Sequence, residues 1–484
     1  MVAEGVEYFT PTDHDFLSDF RPALERLGLE FWLNTAPGLE VTTLEVGHYL
    51  SFPLRANTVI DAGGAVDWTS RTPQEIIDDI RELKDPDKQI EPVIFVGHPR
   101  DGILGYFDQY GLVSTETDGG DLTFDENILA SALLSTMTTN LDNATILKPE
   151  NFSTDFDAIE ILGGKRFDNL RSPLDSELTR YKEQRDLLGP EEQEAIYALN
   201  TKFAYEINTR TMEEQQALID AADAFGQGED MENIVRFDGS YNGQIDDWFS
   251  LLNLGYRYTA LGNSDTHGTT SVEAGCPRNF VFVGEDDPLT LDDEEIAQAV
   301  RDGKVVASFG PFVELYAQND KSLTVGSTIT PDASGNVALT IDIQAPTWIS
   351  VDRVEIYENG VLIEEASIPT TGETLRYSNT HTYTPSKDSW YVVIVVGAEG
   401  SDLSPLFTNV ERDAIQLQDV ITTALGDSSA VPSLLTDFLV PYPPIPRSHP
   451  VLPMALTNPI WVDVNGDGDF TPPGLPSWLL NPNQ

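Results

Sequence analysis

Four of the six histidines in this 484-residue chain stand in short motifs that adjoin apolar runs of strand character. Thr12-Asp13-His14-Asp15 follows Val6–Phe9, and Gly47-His48 precedes Tyr49-Leu50. Gly97-His98-Pro99-Arg100 follows Val93–Val96, and Ser264-Asp265-Thr266-His267 follows Tyr258–Leu261. A fifth motif, Pro37-Gly38-Leu39-Glu40-Val41, adds a carboxylate ahead of His48. Short apolar runs of this kind read as buried strands, so the pattern sets polar ligands beside strand ends. A β/α barrel builds its catalytic site in that way, from the C-terminal ends of successive strands. Imidazole with carboxylate is the donor set that suits Zn, Mn or Fe. A lone His is ordinarily a satisfied core or surface residue. Four in like contexts point to a polynuclear metal site and to metal-assisted hydrolysis.

The remaining composition sets limits on that reading. The length is that of about three ordinary domains, and 40% apolar residues supply a packed core, which excludes global disorder. No window approaches the ~20 consecutive apolar residues of a membrane-spanning helix. The 80 acidic against 28 basic residues give a formal charge of −52. Affinity for phosphate backbones comes from Lys and Arg, so a nucleic-acid partner is not expected. Self-repulsion of that size suits a medium salty enough to screen it. The single Cys276 rules out an intramolecular disulfide and a Cys-based zinc cluster. The first residues lack the basic and apolar regions of a signal peptide. Met1–Val6 reads as a helix end running into a strand, with Gly5 as its cap, as though the chain began inside a βα unit.

Residues 1–311 alternate strand-like and helical segments, the pattern of an α/β domain. Thr72-Pro73-Gln74-Glu75 is a capping box with Pro at the first helical position, and Ile76, Ile77, Ile80 and Leu83 follow on one face. A second helix runs from Asp292 through Ile296, Ala299 and Val300 to Gly303, with acids in its first turn. The charged, Gln-rich stretch 176–224 reads as an inserted helical subdomain. Residues 312–405 hold about six short β-rich runs and the hairpin turn Asn359-Gly360, the texture of an all-β sandwich. Residues 406–484 are Pro-rich and read as an extended tail.

The ordered motif set Thr12-Asp13-His14-Asp15, Gly38-Leu39-Glu40 with Gly47-His48, Gly97-His98-Pro99-Arg100 and Gly262-Asn263-Ser264-Asp265-Thr266-His267 resembles the polymerase-and-histidinol-phosphatase (PHP) superfamily of metallohydrolases. It is most similar to the carbaryl-hydrolase-like (CehA/McbA) branch, as are the following β-sandwich and Asn458-Pro459-Ile460-Trp461-Val462-Asp463. The resemblance implies a distorted seven-stranded, TIM-like β/α barrel. Glu40 would bridge two metals, His48 and His98 would complete the second metal's ligands, and Asp265 would bind the first. His14 and His267 would belong to a third, and Asp13 and Asp15 would orient ligands. The family opens with a His-x-His pair on its first strand, and this chain has no His before His14. As written, the barrel lacks that strand: the second metal keeps Glu40, His48 and His98, the first only Glu40 and Asp265, the third only His14 and His267.

Several other groups carry two readings. Arg100 can stabilise developing oxyanion charge or form a salt bridge to Asp101 or the acidic surface. Glu160 ends another barrel-strand run, and its family counterpart lies near the site, although Gly163-Gly164 replace an Asn-containing turn. Arg236–Gly239 with Asp246-Asp247-Trp248 reads as a turn and a helix with Asp246 as N-cap. Asp463, Asn465, Asp467 and Asp469 alternate as in a calcium loop, with Gly468 sixth and Gly474 where the bidentate acid belongs; the alternative is an Asx-rich turn. His381 and His449 read as exposed or locally hydrogen-bonded. The expectation is a hydrolase of phosphoesters or carboxyl/carbamate esters acting through metal-activated water, with Arg100 and Asp265 as catalytic groups and a small-molecule substrate, extracellular or periplasmic. The alternative is a catalytically decayed, calcium-stabilised binding or surface protein.

Overall fold

The computed structural model describes residues 1–43, 46–101, 104–124, 146–163, 243–266, 274–398, 401, 403 and 453–475. The chain divides into one unit of Met1–Ser172, Ser240–Ala398 and Pro453–Gln484 and another of Pro173–Gly239 and Glu399–Leu452. Nearly all of the second unit lies outside the described residues, as do the expected insertion 176–224, His267 and His449.

The first unit opens with β1 (Tyr8–Phe9), α1 (Arg21–Leu27), β2 (Asn34–Thr35), β3 (Leu39–Thr42), β4 (His48–Phe52), α2 (Pro73–Glu82) and β5 (Val93–Gly97). There follow α3 (Tyr106–Tyr110), β6 (Leu112–Asp118), β7 (Asp121–Phe124), β8 (Ala158–Gly163), α4 (Gln244–Asn253), β9 (Thr259–Asn263), β10 (Arg278–Val281), α5 (Asp293–Arg301) and β11 (Val305–Ser308). The rest is strand: β12 (Phe312–Ala317), β13 (Asp320–Thr324), β14 (Thr328–Ile329), β15 (Val337–Gln344), β16 (Arg353–Glu358), β17 (Val361–Ser367), β18 (Leu375–Tyr383), β19 (Ser389–Val396), β20 (Met454–Thr457) and β21 (Ile460–Val462).

The expected α/β class holds as a mixed, strand-rich fold, but the described residues contain no closed barrel. What stands there is an open five-stranded sheet in the order β3-β4-β5-β8-β9. β4 runs antiparallel to both of its neighbours β3 and β5, while β5, β8 and β9 are parallel. Because side chains alternate across a strand, His48, Leu50 and Phe52 share one face of β4. Glu40 lies opposite Leu50 in the register and so joins that face. On it, Leu50, Phe52, Phe95, Ala158 and Leu261 pack with Ile296, Ala297 and Val300 of α5. Apolar side chains fill one end of this face, and the polar ligands follow at the other.

Local chemistry explains the supporting elements. In α2, the Thr72 hydroxyl accepts from the Glu75 N–H and Glu75 Oε2 accepts from the Thr72 N–H, the reciprocal box that the sequence spells. Asp292 caps α5 by accepting from Glu294 N at 3.1 Å. In α4 the expectation is corrected. Gly243 is the N-cap, and Asp246 stands three residues in, where its carboxylate reaches back to the Gly243 N–H at 3.1 Å. Asn359 and Gly360 both take positive φ, 53° and 79°, as a two-residue hairpin turn with the right twist requires.

The β-rich half forms two further sheets. One runs β13-β12-β15-β18, and the other β10-β11-β20-β19-β16-β17, with β21 paired to β19 and β14. The second sheet draws β10 and β11 from before Pro311 and β20 and β21 from within 406–484, beside strands from 312–405. Among the described residues no helix is long and apolar enough to cross a membrane.

Candidate metal centre

Three strand ends meet at one point. Glu40 lies within β3, His48 is the first residue of β4, and His98 follows the last residue of β5. Since β4 runs against β5, its start lies at the same edge as the end of β5, and His48 pairs with Gly97. Gly47 makes this entry possible: with φ of 77°, a Cβ there would stand 2.5 Å from Tyr106 Cα. His98 takes a φ of 28° and Asp265 one of 49°, so both leave their strands through left-handed backbone. For residues with a side chain this conformation is uncommon and gathers at functional sites.

His48 Nδ1 lies 2.7 Å from Glu40 Oε1 and 3.1 Å from His98 Nε2. His98 Nε2 lies 3.8 Å from the same oxygen. Glu40, His48 and His98 are the one group of three or more His, Cys, Asp or Glu among the described residues whose ligand atoms all fall within 4.8 Å of one another. Glu40 and His48 are buried and His98 nearly so. Glu40 Oε1 forms no aligned hydrogen bond despite its near neighbours, and His48 Nε2 and His98 Nδ1 are likewise unsatisfied. Buried polar atoms are normally paired. Three N/O atoms this close together could share a metal ion and leave it a free position. The other oxygen, Glu40 Oε2, lies 3.5 Å from Nδ1 of the exposed His14, so Glu40 faces a second candidate ligand.

The supporting contacts fix these groups. The Asp15 carboxylate accepts from the Thr42 N–H at 3.0 Å and from Trp68 Nε1 at 3.1 Å, and the Thr42 hydroxyl lies 2.6 Å from His14 Nδ1. Asp15 therefore acts on His14 through Thr42, and Asp13 bonds the Ser18 hydroxyl. Asp101 Oδ2 is 3.9 Å from His98 Nδ1. Burial opposes the charged form of Glu40, but His48 and His98 hold its carboxyl well below the usual carboxylate range. Burial also lowers the basicity of His98, but Glu40, Glu160 and Asp101 together more than reverse this, raising the pKa to about 9. Glu160 on β8 is pushed up to about 8, first by burial and then by the negative charge of Asp265; His98 and the Asn263 amide, 3.2 Å away, pull it down.

The structure reassigns Arg100. Its guanidinium is buried and forms a bidentate pair with Asp247 at 2.7 and 2.8 Å. Further bonds reach Asp108 at 3.1 Å and the Leu112 carbonyl at 2.8 Å. A fork so engaged is a strut tying the loop after β5 to α4, the salt-bridge form of the two readings, with Asp247 as its bidentate partner. In 463–469 the Asx-turn form is seen. Both oxygens of buried Asp463 accept backbone N–H groups, of Gly466 at 2.7 Å and Gly468 at 2.8 Å, while Asn465 and Asp467 each accept from the residue two further on. Sequence reasoning left out Thr42 and the approach of Asp101 to His98. Glu160 had a signal, a carboxylate inside the apolar run Ala158–Leu162.

No protein-family model, no curated protein and no solved structure matches this chain.

Proposed function

We propose that this chain is a metal-dependent hydrolase of ester bonds, phosphoester or carboxyl/carbamate, built on a PHP-type β/α unit. The observation that carries the reading is the convergence of Glu40 Oε1, His48 Nδ1 and His98 Nε2 with their buried, unsatisfied neighbouring atoms. Zn, Mn or Fe bound there would supply Lewis acidity and water of lowered pKa. The chain's own groups do the rest. Glu160, with its pKa near 8, stays protonated at neutral pH and is suited to hand a proton to a leaving oxygen. Asp265, whose charge helps to keep it so, sits on the loop after β9. Arg100 fixes the loop that carries His98. The strongly acidic composition suits a salt-rich setting outside the cytoplasm.

The test is to strip the full chain with a chelator and reload it separately with Zn, Mn and Fe. Turnover of nitrophenyl phosphate or nitrophenyl acetate is then followed. At least one metal should restore multiple turnovers, and Glu160→Gln should lower kcat by ~10²–10⁴-fold without releasing the metal. Stoichiometric metal with no turnover in any loaded form would instead favour a decayed barrel used for binding.

A further inference from the structure

A second histidine–glutamate pair lies in the β-rich half, and its third partner is a phenol. His381 of β18 is buried, with Nδ1 3.0 Å from Glu364 Oε1 of β17 and Nε2 2.8 Å from the Tyr377 hydroxyl. Residues 377, 379, 381 and 383 alternate onto one face of β18, and the imidazole ring is nearly parallel to those of Tyr377 and Tyr383. Tyr383 donates to Glu364 Oε2 at 2.7 Å, so both carboxylate oxygens are held. Proton bookkeeping follows from these partners. An ionised carboxylate only accepts, so Nδ1 carries the hydrogen. In the neutral imidazole Nε2 is then bare, and the Tyr377 hydroxyl donates to it. Asn379 Nδ2 donates to the same phenol oxygen at 3.4 Å, where it would meet negative charge as the proton leaves. Tyr377 is only partly buried, and Asn379 beside its oxygen is exposed.

A nucleophile bonded to a base whose far nitrogen is oriented by a carboxylate is the arrangement of covalent catalysis. We propose that Tyr377 is a nucleophilic tyrosine that accepts an acyl group from activated esters, with His381 as its base and Glu364 as a positioning residue. The phenol oxygen attacks the ester carbonyl and its proton passes to His381 Nε2. The new aryl ester bond forms as the old ester C–O bond breaks, and the leaving alkoxide or phenolate takes the proton. The product is an acyl-tyrosine and a free alcohol, with no change of oxidation state. This inference is independent of the metal centre.

The experiment treats the full chain, in excess chelator, with p-nitrophenyl acetate. One equivalent of nitrophenol should appear as a burst, with a mass gain of one acetyl mapped to Tyr377. Tyr377→Phe should abolish the burst, and His381→Gln and Glu364→Gln should slow it at least ~10-fold, as removal of a general base or its support does. Ordinary tyrosine acylation climbs with pH toward the phenol pKa of about 10. Here the rate should depend much less steeply on pH, because His381 rather than hydroxide takes the proton. Acetylation spread evenly over exposed tyrosines, or a Tyr377 rate untouched in Glu364→Gln, would overturn the proposal. Glu364 is 40% exposed, so that variant remains informative if His381→Gln fails to fold. Because the metal is removed throughout, loss of metal-dependent turnover leaves this result unaffected.

Discussion

The mixed sheet and the β-rich half each place a histidine against a glutamate, at 2.7 Å for His48 and Glu40 and at 3.0 Å for His381 and Glu364. What separates them is the third group. In the mixed sheet it is a second imidazole, and the atoms at that point cannot all satisfy one another. In the β-rich half it is a phenol and every ring nitrogen has a complementary partner. An acceptor-rich cluster with unmatched buried atoms calls for a cation, whereas a closed donor–acceptor chain moves protons. The same two residue types thus yield a ligand set or a relay according to whether the hydrogen bonds close.

The sharpest way to break this contrast is to exchange which histidine is lost. His98→Ala should reduce transition-metal content from about one per chain to near zero, because two remaining ligands hold a metal poorly. His381→Ala should leave metal content unchanged and cost ~1–3 kcal/mol of stability from the stranded Glu364 and Tyr377 groups, read by denaturant unfolding. Equal metal content in the two variants would erase the distinction.

Next in size is the pH response of chelated protein. His98 is raised from 6.5 to about 9, so its contribution is complete below pH 6.5 and lost as pH rises through 9. Glu160, raised from 4.5 to about 8, acts in the same direction above pH 4.5. Glu40 is lowered, so its contribution is present above 4.5 and lost on acidification below that. From these groups the melting temperature without metal should therefore peak near pH 4.5 and fall by pH 9. With metal it should hold or rise over that range, since protons compete for the ligands. Parallel curves with and without metal would show that these groups never meet a cation.

The smallest expected effect concerns calcium. In 463–469 the acids already accept backbone N–H groups, so the loop resembles the relay more than the ligand set. With a dissociation constant on the order of 10⁻⁴ M, millimolar calcium should stabilise the chain by about 1 kcal/mol. Asp467→Ala with Asp469→Ala should remove that gain while leaving ester turnover intact. A calorimetric shift that survives both substitutions places the calcium elsewhere.

The Glu40–His48–His98 cluster was legible because its members lie in or beside strands that the apolar runs announce, and the α2 box and Asn359-Gly360 turn because their chemistry is local. For Arg100 the salt-bridge reading of the two is the one seen, but with a carboxylate the sequence could not point to. Its partner Asp247 lies 147 residues away, and no spacing rule connects them. Asp246 was placed as a cap because Asp commonly is one, whereas Gly243 lets the same carboxylate work from inside the helix. The open sheet could not be told from a barrel, since strand periodicity reports which face is buried and not whether the edges meet. His381 was expected to be exposed or locally bonded. Tyr377 is indeed local, but Glu364 comes from a strand of the other sheet.

β20 has a consequence for how the protein is made. It lies between β11 and β19, bonded to both, although some 58 residues separate Val396 from Met454. A nascent chain exposes the facing edges of β11 and β19 until that stretch has been synthesised, on the order of 3–12 s at ~5–20 residues per second. Unpaired edges recruit neighbours, so crowded polysomes are where this chain is most exposed to aggregation. Slower elongation across 397–453 should lower soluble yield more than the same delay placed after Val462.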